Sequence, residues 1–241
     1  MIDFTPLVAA AAAAPEIAIE DLTGPGDVLV LAPHPDDESL AMGGAIAAAA
    51  RTGRQVHVAI VTDGSRSHPG SRSHPPDVLA ALRRAEAEAA VRLLVDPAAL
   101  PIWLGFTDTD APDDETAFRD VARRLSPIME GVTAIWTCWN GDPHIDHQRV
   151  WRLATFLAAR NPALRMFACP VWGRVVGPVD GANHDGLRRF PTAPFRDLKA
   201  RAVAAHVSQM TDLIEDDPSG FRMPPDLAAH FVQADEIFIP S

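Results

Sequence analysis

The sequence predicts an α/β protein, a Rossmann-like three-layer sandwich with a mostly parallel central sheet. Three observations lead there. Short aliphatic runs alternate with longer helical segments as far as Ala159, the pattern of repeated strand–helix–strand units. The first run, Val28 to Ala32, follows the turn residues Gly24, Pro25 and Gly26 and is apolar throughout, as a strand buried on both faces is. Finally, the residues able to carry chemistry sit directly after the strands, where right-handed crossovers gather the loops of an open α/β sheet on its ligand-binding edge.

A chain of 241 residues accommodates one such domain over 1–241, with 1–23 as an N-terminal extension and 160–241 as a more irregular C-terminal part. With 47% hydrophobic and 22% charged residues and no apolar run near the ~20 residues of a membrane span, the composition is that of a soluble protein with no membrane insertion. The Ala-rich Val8 to Ala14 lacks a preceding Lys or Arg and runs into Pro15 and Glu16, so it reads as a short surface helix rather than a secretory signal. A formal net charge of −11 argues against a nucleic-acid or anionic-membrane partner, because phosphates would be repelled. A neutral or cationic small molecule fits better, and self-association into a homo-oligomer is left open. Cys138 and Cys169 lie in apolar, strand-like segments and read as buried free thiols of a reducing, cytoplasmic protein.

After Ala32 the character of the chain changes at once. His34 precedes Pro35 and is pushed towards extended backbone, while Pro35 suits the first position of a helix continuing through the Ala-rich segment to Ala50. Asp36, Asp37 and Glu38 then fall in the first turn, where the helix dipole favours carboxylates. His34 and Asp37, three apart, can converge on one point, whereas Asp36 is turned about 100° away on the helix. His34 and Asp37 thus make a ligand pair for a borderline metal such as zinc, and Asp36 a general base towards a metal-bound water. The bland alternative is a set of dipole-compensating carboxylates beside a turn histidine.

Val56 to Val61 is the second strand. The loop after it opens Thr62-Asp63-Gly64, with Gly64 in a turn anchored by Asp63, and then repeats Ser-Arg-Ser-His-Pro at 65–69 and 71–75. Such long loops are lids or are disordered; Arg66, Arg72, His68 and His74 are its candidate substrate contacts. The next helix, Val78 to Leu94, carries Arg83, Arg84, Glu86 and Glu88, where ion pairs one turn apart are the default reading. One arginine turned into the site, Arg84, is the functional alternative. Leu100 to Leu104 is strand-like, and the turn Gly105-Phe106-Thr107-Asp108 brings Asp108 to the productive edge as a substrate-hydroxyl acceptor or an ordinary turn residue. Ala117 to Met129 is helical.

The strand Ala134 to Cys138 leads into the second cluster, Trp139-Asn-Gly-Asp-Pro-His-Ile-Asp-His147, and a helix from His147 to Ala159. If the two clusters meet across a crevice, one histidine of the His144/His147 pair completes a His2Asp set with one position open to water, the layout of a catalytic zinc. Spacing leaves open which one. The other histidine would act as an imidazolium, stabilising an oxyanion or protonating a leaving amine, with Asp146 orienting it. Alternatively, one histidine caps the helix. Beyond Ala159 the reading is one or two strands in Arg165 to Val176, a loop over Val179 to Gly186, a helix from Phe195 to Met210 and a last strand around Ile237 to Ile239. A Gly-rich dinucleotide fingerprint after the first strand and a phosphate-binding P-loop are both missing from the sequence.

With His34-Pro-Asp-Asp-Glu38 and His144-Ile-Asp-His147 in view, the sequence resembles the PIG-L (LmbE-like) family of zinc-dependent deacetylases of N-acetylglucosaminyl compounds. Thr62-Asp63-Gly64, the helix from Arg83, Gly105 to Asp108, and Lys199 to Gln209 with its His206-x-Ser208-Gln209 ending also match, in order. The resemblance implies Zn2+, or another divalent transition metal, on His34, Asp37 and His147, with Asp36 as general base and His144 as electrophilic or acid partner tuned by Asp146. Ile145 stands where the family often has Pro, and Val95 where it often has Gly. The implied reaction is removal of an acetyl group from a small-molecule N-acetylglucosamine-type glycoside. The alternatives are a metallohydrolase acting on another bond, such as the amide of a thiol conjugate or a phosphoester, and a non-catalytic carbohydrate-binding protein.

Overall fold

The computed structural model describes residues 2–241. Two short helices, α1 (Pro6–Ala12) and α2 (Ile19–Thr23), lead into β1 (Asp27–Ala32), and the units α3 (Asp37–Arg51), β2 (Val56–Thr62), α4 (Pro76–Leu94), β3 (Ile102–Phe106), α5 (Glu115–Met129), β4 (Val132–Cys138), α6 (Ile145–Ala158) and β5 (Arg165–Cys169) follow. After β5 come β6 (Arg188–Phe190), α7 (Arg196–Ala205), α8 (Val207–Met210), α9 (Pro225–Gln233) and β7 (Glu236–Pro240). Seven strands form one sheet in the order β3-β2-β1-β4-β5-β7-β6. The first five are parallel, and β7 runs antiparallel to both β5 and β6.

Side-chain alternation along β1 shows why the domain has three layers. Val28, Val30 and Ala32 face one core, packed by α3, α4, α7 and α9, while Leu29 and Leu31 face the other, packed by α5 and α6. All five are completely buried, so each face contributes about 1.5–3 kcal/mol per large aliphatic side chain. Only Asp27, at its half-buried start, is polar. Helix α3, rich in Ala and Gly, is buried along nearly its whole length because small side chains let α7 and β7 approach it closely.

Several sequence expectations shift. The second-half helix breaks at His206, whose ψ of 59° ends α7 and starts α8. Of the one or two strands expected in Arg165 to Val176, only β5 forms, and Trp172–Arg174 is a 3-10 turn. Strand β6, with two arginines in three residues, and helix α9 carry too little apolar pattern to be seen in advance. Cys138 and Cys169 are paired neighbours on β4 and β5, both buried and free. Among the described residues no helix is long and apolar enough to cross a membrane.

Candidate functional site

Strands β1 and β4 are adjacent and parallel, and their following helices depart to opposite faces, α3 to one core and α6 to the other. That divergence opens a crevice at the carboxyl ends of the two strands, the topological switch point of such sheets. The two histidine–carboxylate clusters, more than a hundred residues apart in the chain, meet there. Ring centroids of His34 and His147 are 5.4 Å apart, those of His34 and His144 4.5 Å, and those of His144 and His147 5.3 Å.

Asp37 lies between two of the imidazoles. Its Oδ2 is 3.2 Å from Nδ1 of His34 and 3.4 Å from Nε2 of His147. That Nε2 is fully buried and makes no hydrogen bond. The other ring nitrogen of His147 donates to Asp142 at 2.8 Å, which orients the ring and aims Nε2 at the centre. Asp142 is itself completely buried and accepts from the backbone N–H groups of Val171 and Gly173. Sequence reasoning passed over Asp142 because Asn-Gly-Asp-Pro reads as an ordinary turn. Cys138, taken as a packing residue, joins Asp37 and His147 in a set whose donor atoms lie within 4.8 Å of one another, as do the nitrogens of His34, His144 and His147.

Asp36 is the N-terminal flanking residue of α3, with φ of 132°, a region L-residues avoid. Its Oδ2 accepts from Arg83 Nη2 at 3.2 Å. Asp146 has a different role from the one expected. Its carboxylate accepts from His34 Nε2 at 3.1 Å and from the N–H groups of Thr109 and Ala111 at 2.7 and 3.1 Å, so it orients His34. Towards His144 it offers only its backbone N–H, which donates to Nδ1 at 3.2 Å. His144 therefore caps α6, which starts at Ile145, and also faces the cavity.

The electrostatics follow from burying so many carboxylates together. Burial pushes Asp36 up to about 6 against the attraction of Arg83. For Asp37 burial acts in the same direction but is outweighed by His147 and His34, which hold it well below the usual range. Asp108 is likewise held at about 2 by its contact with His34, despite burial. Burial opposes protonation of His147, yet Asp37 and Asp142 raise it to about 9, and Asp108, Asp146 and Asp37 raise His34 well above its ordinary value. The centre thus collects positive charge on its imidazoles. Buried His and Asp donors, an unpartnered Nε2 and an excess of carboxylate are what a borderline divalent cation requires, so the residues fit such an ion. His144 behaves oppositely: burial, then His34 and His147, lower it to about 4. That shift favours a neutral ring over the expected imidazolium, with Nδ1 accepting the Asp146 N–H.

Above the centre is a cavity of about 580 Å3, lined by the polar His34, Asp36, Asp37, Asp108 and His144 and by the apolar Val171, Trp172, Phe221 and Met223. Arg66 lines it, and its N–H donates to Asp108 Oδ2 at 3.0 Å. Arg84 does not reach it. It lies on the outer face of α4, exposed, paired with Glu88 at 3.2 Å and stacked over Trp103. The inward arginine is Arg83, one residue earlier, whose guanidinium bonds Asp36 and the carbonyls of Pro35 and Gly64. Helical phase separates the two by about 100°. The Ser-Arg-Ser-His-Pro loop is ordered: Asp216 accepts from the Ser71 and Ser73 hydroxyls and from the N–H groups of Arg72 and Ser73, and Asp217 accepts from Gly70 N–H. Arg72, His68 and His74 do not line the cavity.

The family model described as PIG-L, GlcNAc-PI de-N-acetylase, matches residues 29–158, more than half of the chain and the whole span from the first cluster to the end of α6. No curated protein sequence matches. Among solved structures the chain is similar to an N,N'-diacetylchitobiose deacetylase from Pyrococcus horikoshii, at 24% identity and TM-score 0.69, over 92% of this chain and 88% of that one. It is similar to a deacetylase of the teicoplanin biosynthetic pathway at 21% identity and TM-score 0.66, over 89% and 97%. A 4-carboxy-2-hydroxymuconate hydratase from Pseudomonas putida KT2440 matches at 20% identity and TM-score 0.61, over 86% and 83%. At these identities the structural likeness establishes the fold.

Proposed function

The chain belongs to the PIG-L family, whose model is that of a GlcNAc-PI de-N-acetylase, and on that premise we propose that it removes the acetyl group from an N-acetylglucosamine-type conjugate by metal-assisted amide hydrolysis. One observation carries the reading: Asp37 stands between His34 and the unpartnered Nε2 of His147, with Asp36 alongside, at the floor of a cavity large enough for a glycoside. His34, Asp37 and His147 would hold the ion, Zn2+ by the chemistry of this donor set. When bound, such an ion supplies Lewis-acid polarisation and acidifies water.

The remaining steps belong to the protein. Asp36 takes the proton of the attacking water, and the Arg83 guanidinium at 3.2 Å holds that carboxylate in place. His144 presents Nε2–H to the oxyanion of the tetrahedral intermediate, its ring direction fixed by the Asp146 N–H on Nδ1. Asp108, ionised, accepts a sugar hydroxyl, and Arg66 lies beside it. The proton taken up by Asp36 passes to the departing nitrogen as the amide C–N bond breaks, so that acetate and a free amine leave and the base is regenerated. The partner is a small-molecule glycoside, since a net charge of −11 disfavours phosphate backbones.

An acetate-release screen over N-acetylhexosamine conjugates, with added metal or chelator, tests this. Release is expected with metal and is expected to fall by at least about 100-fold in Asp36→Asn, the scale of a lost general base, while bound metal stays unchanged. Wild-type turnover in Asp36→Asn would remove that residue from the mechanism. No acetate from any conjugate would reopen the reaction itself, because a hydratase shares this fold.

A further inference from the structure

The deacetylase reading leaves one sequence motif without a role, the His206-x-Ser208-Gln209 ending of the C-terminal helical region. His206 is completely buried at the break between α7 and α8. Every hydrogen bond of its side chain goes to the start of α3: Nε2 lies 3.0 Å from Glu38 Oε1 and 3.2 Å from Ser39 Oγ, and Nδ1 has no partner. Ser208 strengthens the docking by donating its N–H and hydroxyl to Glu86 on α4, both at 2.7 Å. Glu38, also completely buried, uses its second oxygen differently. Oε2 accepts the backbone N–H of Asp36 at 3.0 Å.

Asp36 is one of two non-glycine residues with positive φ among those described. Such a backbone is sparsely populated and persists only where its surroundings impose it. The peptide N–H that Glu38 holds is the one whose rotation sets that φ, and φ at Asp36 sets where its carboxylate points. A carboxylate two residues into a helix that reaches back to the flanking N–H also resembles half a capping box. A cap alone, however, needs neither burial nor an imidazole 168 residues away.

From this geometry we infer that Glu38 and His206 are positioning residues of the reaction: the buried pair grips the Asp36 N–H, fixes the left-handed turn and thereby aims the general-base carboxylate at the reacting centre. The inference rests on the proposed role of Asp36. It assigns the two residues no contact with substrate or metal.

The test uses the full-length, metal-loaded protein and compares Glu38→Met, which removes the acceptor at similar length, with Glu38→Gln, which keeps one. Glu38→Met is expected to lose about 10- to 100-fold in kcat, the range for residues that orient reacting groups, with KM and bound metal unchanged; Glu38→Gln is expected to recover most of that loss. His206→Met and His206→Gln are expected to split in the same way, and they decide the matter if Glu38→Met fails to fold. Wild-type kcat in the Met variants would overturn the inference, as would a joint fall of kcat, KM and metal content. If Asp36→Asn keeps full turnover, it is the deacetylase mechanism that fails; if Asp36→Asn is inactive while the Met variants are normal, only the positioning role fails.

Discussion

At the residue scale, Asp142 is the most consequential side chain that the sequence left unmarked. Its carboxylate accepts from Nδ1 of His147 and from two backbone N–H groups, so it is held still and holds the ring in turn. Asp142→Asn would keep the shape but weaken the acceptor for Nδ1–H, and partners of this kind typically contribute 10–100-fold in metal affinity. We expect a fall of about that size in chelator competition, with turnover returning at saturating metal; unchanged affinity would show that His147 needs no such support. Gly64 illustrates a second constraint. Its φ is 65°, and a Cβ there would collide with the Arg83 guanidinium. Gly64→Ala should therefore push Arg83 off Asp36 and lower kcat while leaving bound metal intact, and a crystal structure of the variant with Arg83 unmoved would contradict this.

At the element scale, the cavity roof is two loops clasped by acidic side chains. Asp216 accepts four hydrogen bonds from residues 71–73, which holds its carboxyl well below the ordinary range in spite of full exposure. Asp216→Ala is expected to speed amide exchange across 70–75 and to raise KM while metal content stays fixed; unchanged exchange would mean that the loop holds its own shape. This clasp was illegible in the sequence because each carboxylate lies more than 140 positions from its partners. The opposite holds for β1, α3, β4 and α6, where apolar runs end abruptly in His and Asp and the junctions themselves marked the crevice. Boundaries moved by only a residue or two there. Arg84 and Asp146 went astray for a common reason: helical phase and carboxylate direction depend on packing that spacing does not encode. Strand β6 and helix α9 escaped because tertiary contacts, rather than periodicity, make them what they are.

At the scale of the whole molecule, His147 and His230 tie stability to opposite pH windows, and metal binding is linked to the alkaline one. In the metal-free chain His147 holds its proton up to about 9, against 6.5 when unfolded. Its folded pKa is raised, so the stability it contributes is complete below 6.5 and drains away as pH climbs to about 9. A divalent ion must displace that proton, so its affinity rises about tenfold per pH unit for each proton released across the same interval. His230 works the other way. Burial, then Arg174 and Lys199, lower it to about 4, and its Nε2 faces Arg174 Nη1 at 3.2 Å. A depressed imidazole contributes stability above 6.5 that is lost as pH falls towards 4. The thermal midpoint of chelator-treated protein should therefore decline above pH 6.5, and the gap between loaded and chelated protein should widen steadily towards pH 9. His230→Gln should flatten only the acid limb and leave that widening intact. A gap that narrows with rising pH would mean that no proton leaves the imidazoles when the ion enters, and would take His147 out of the donor set.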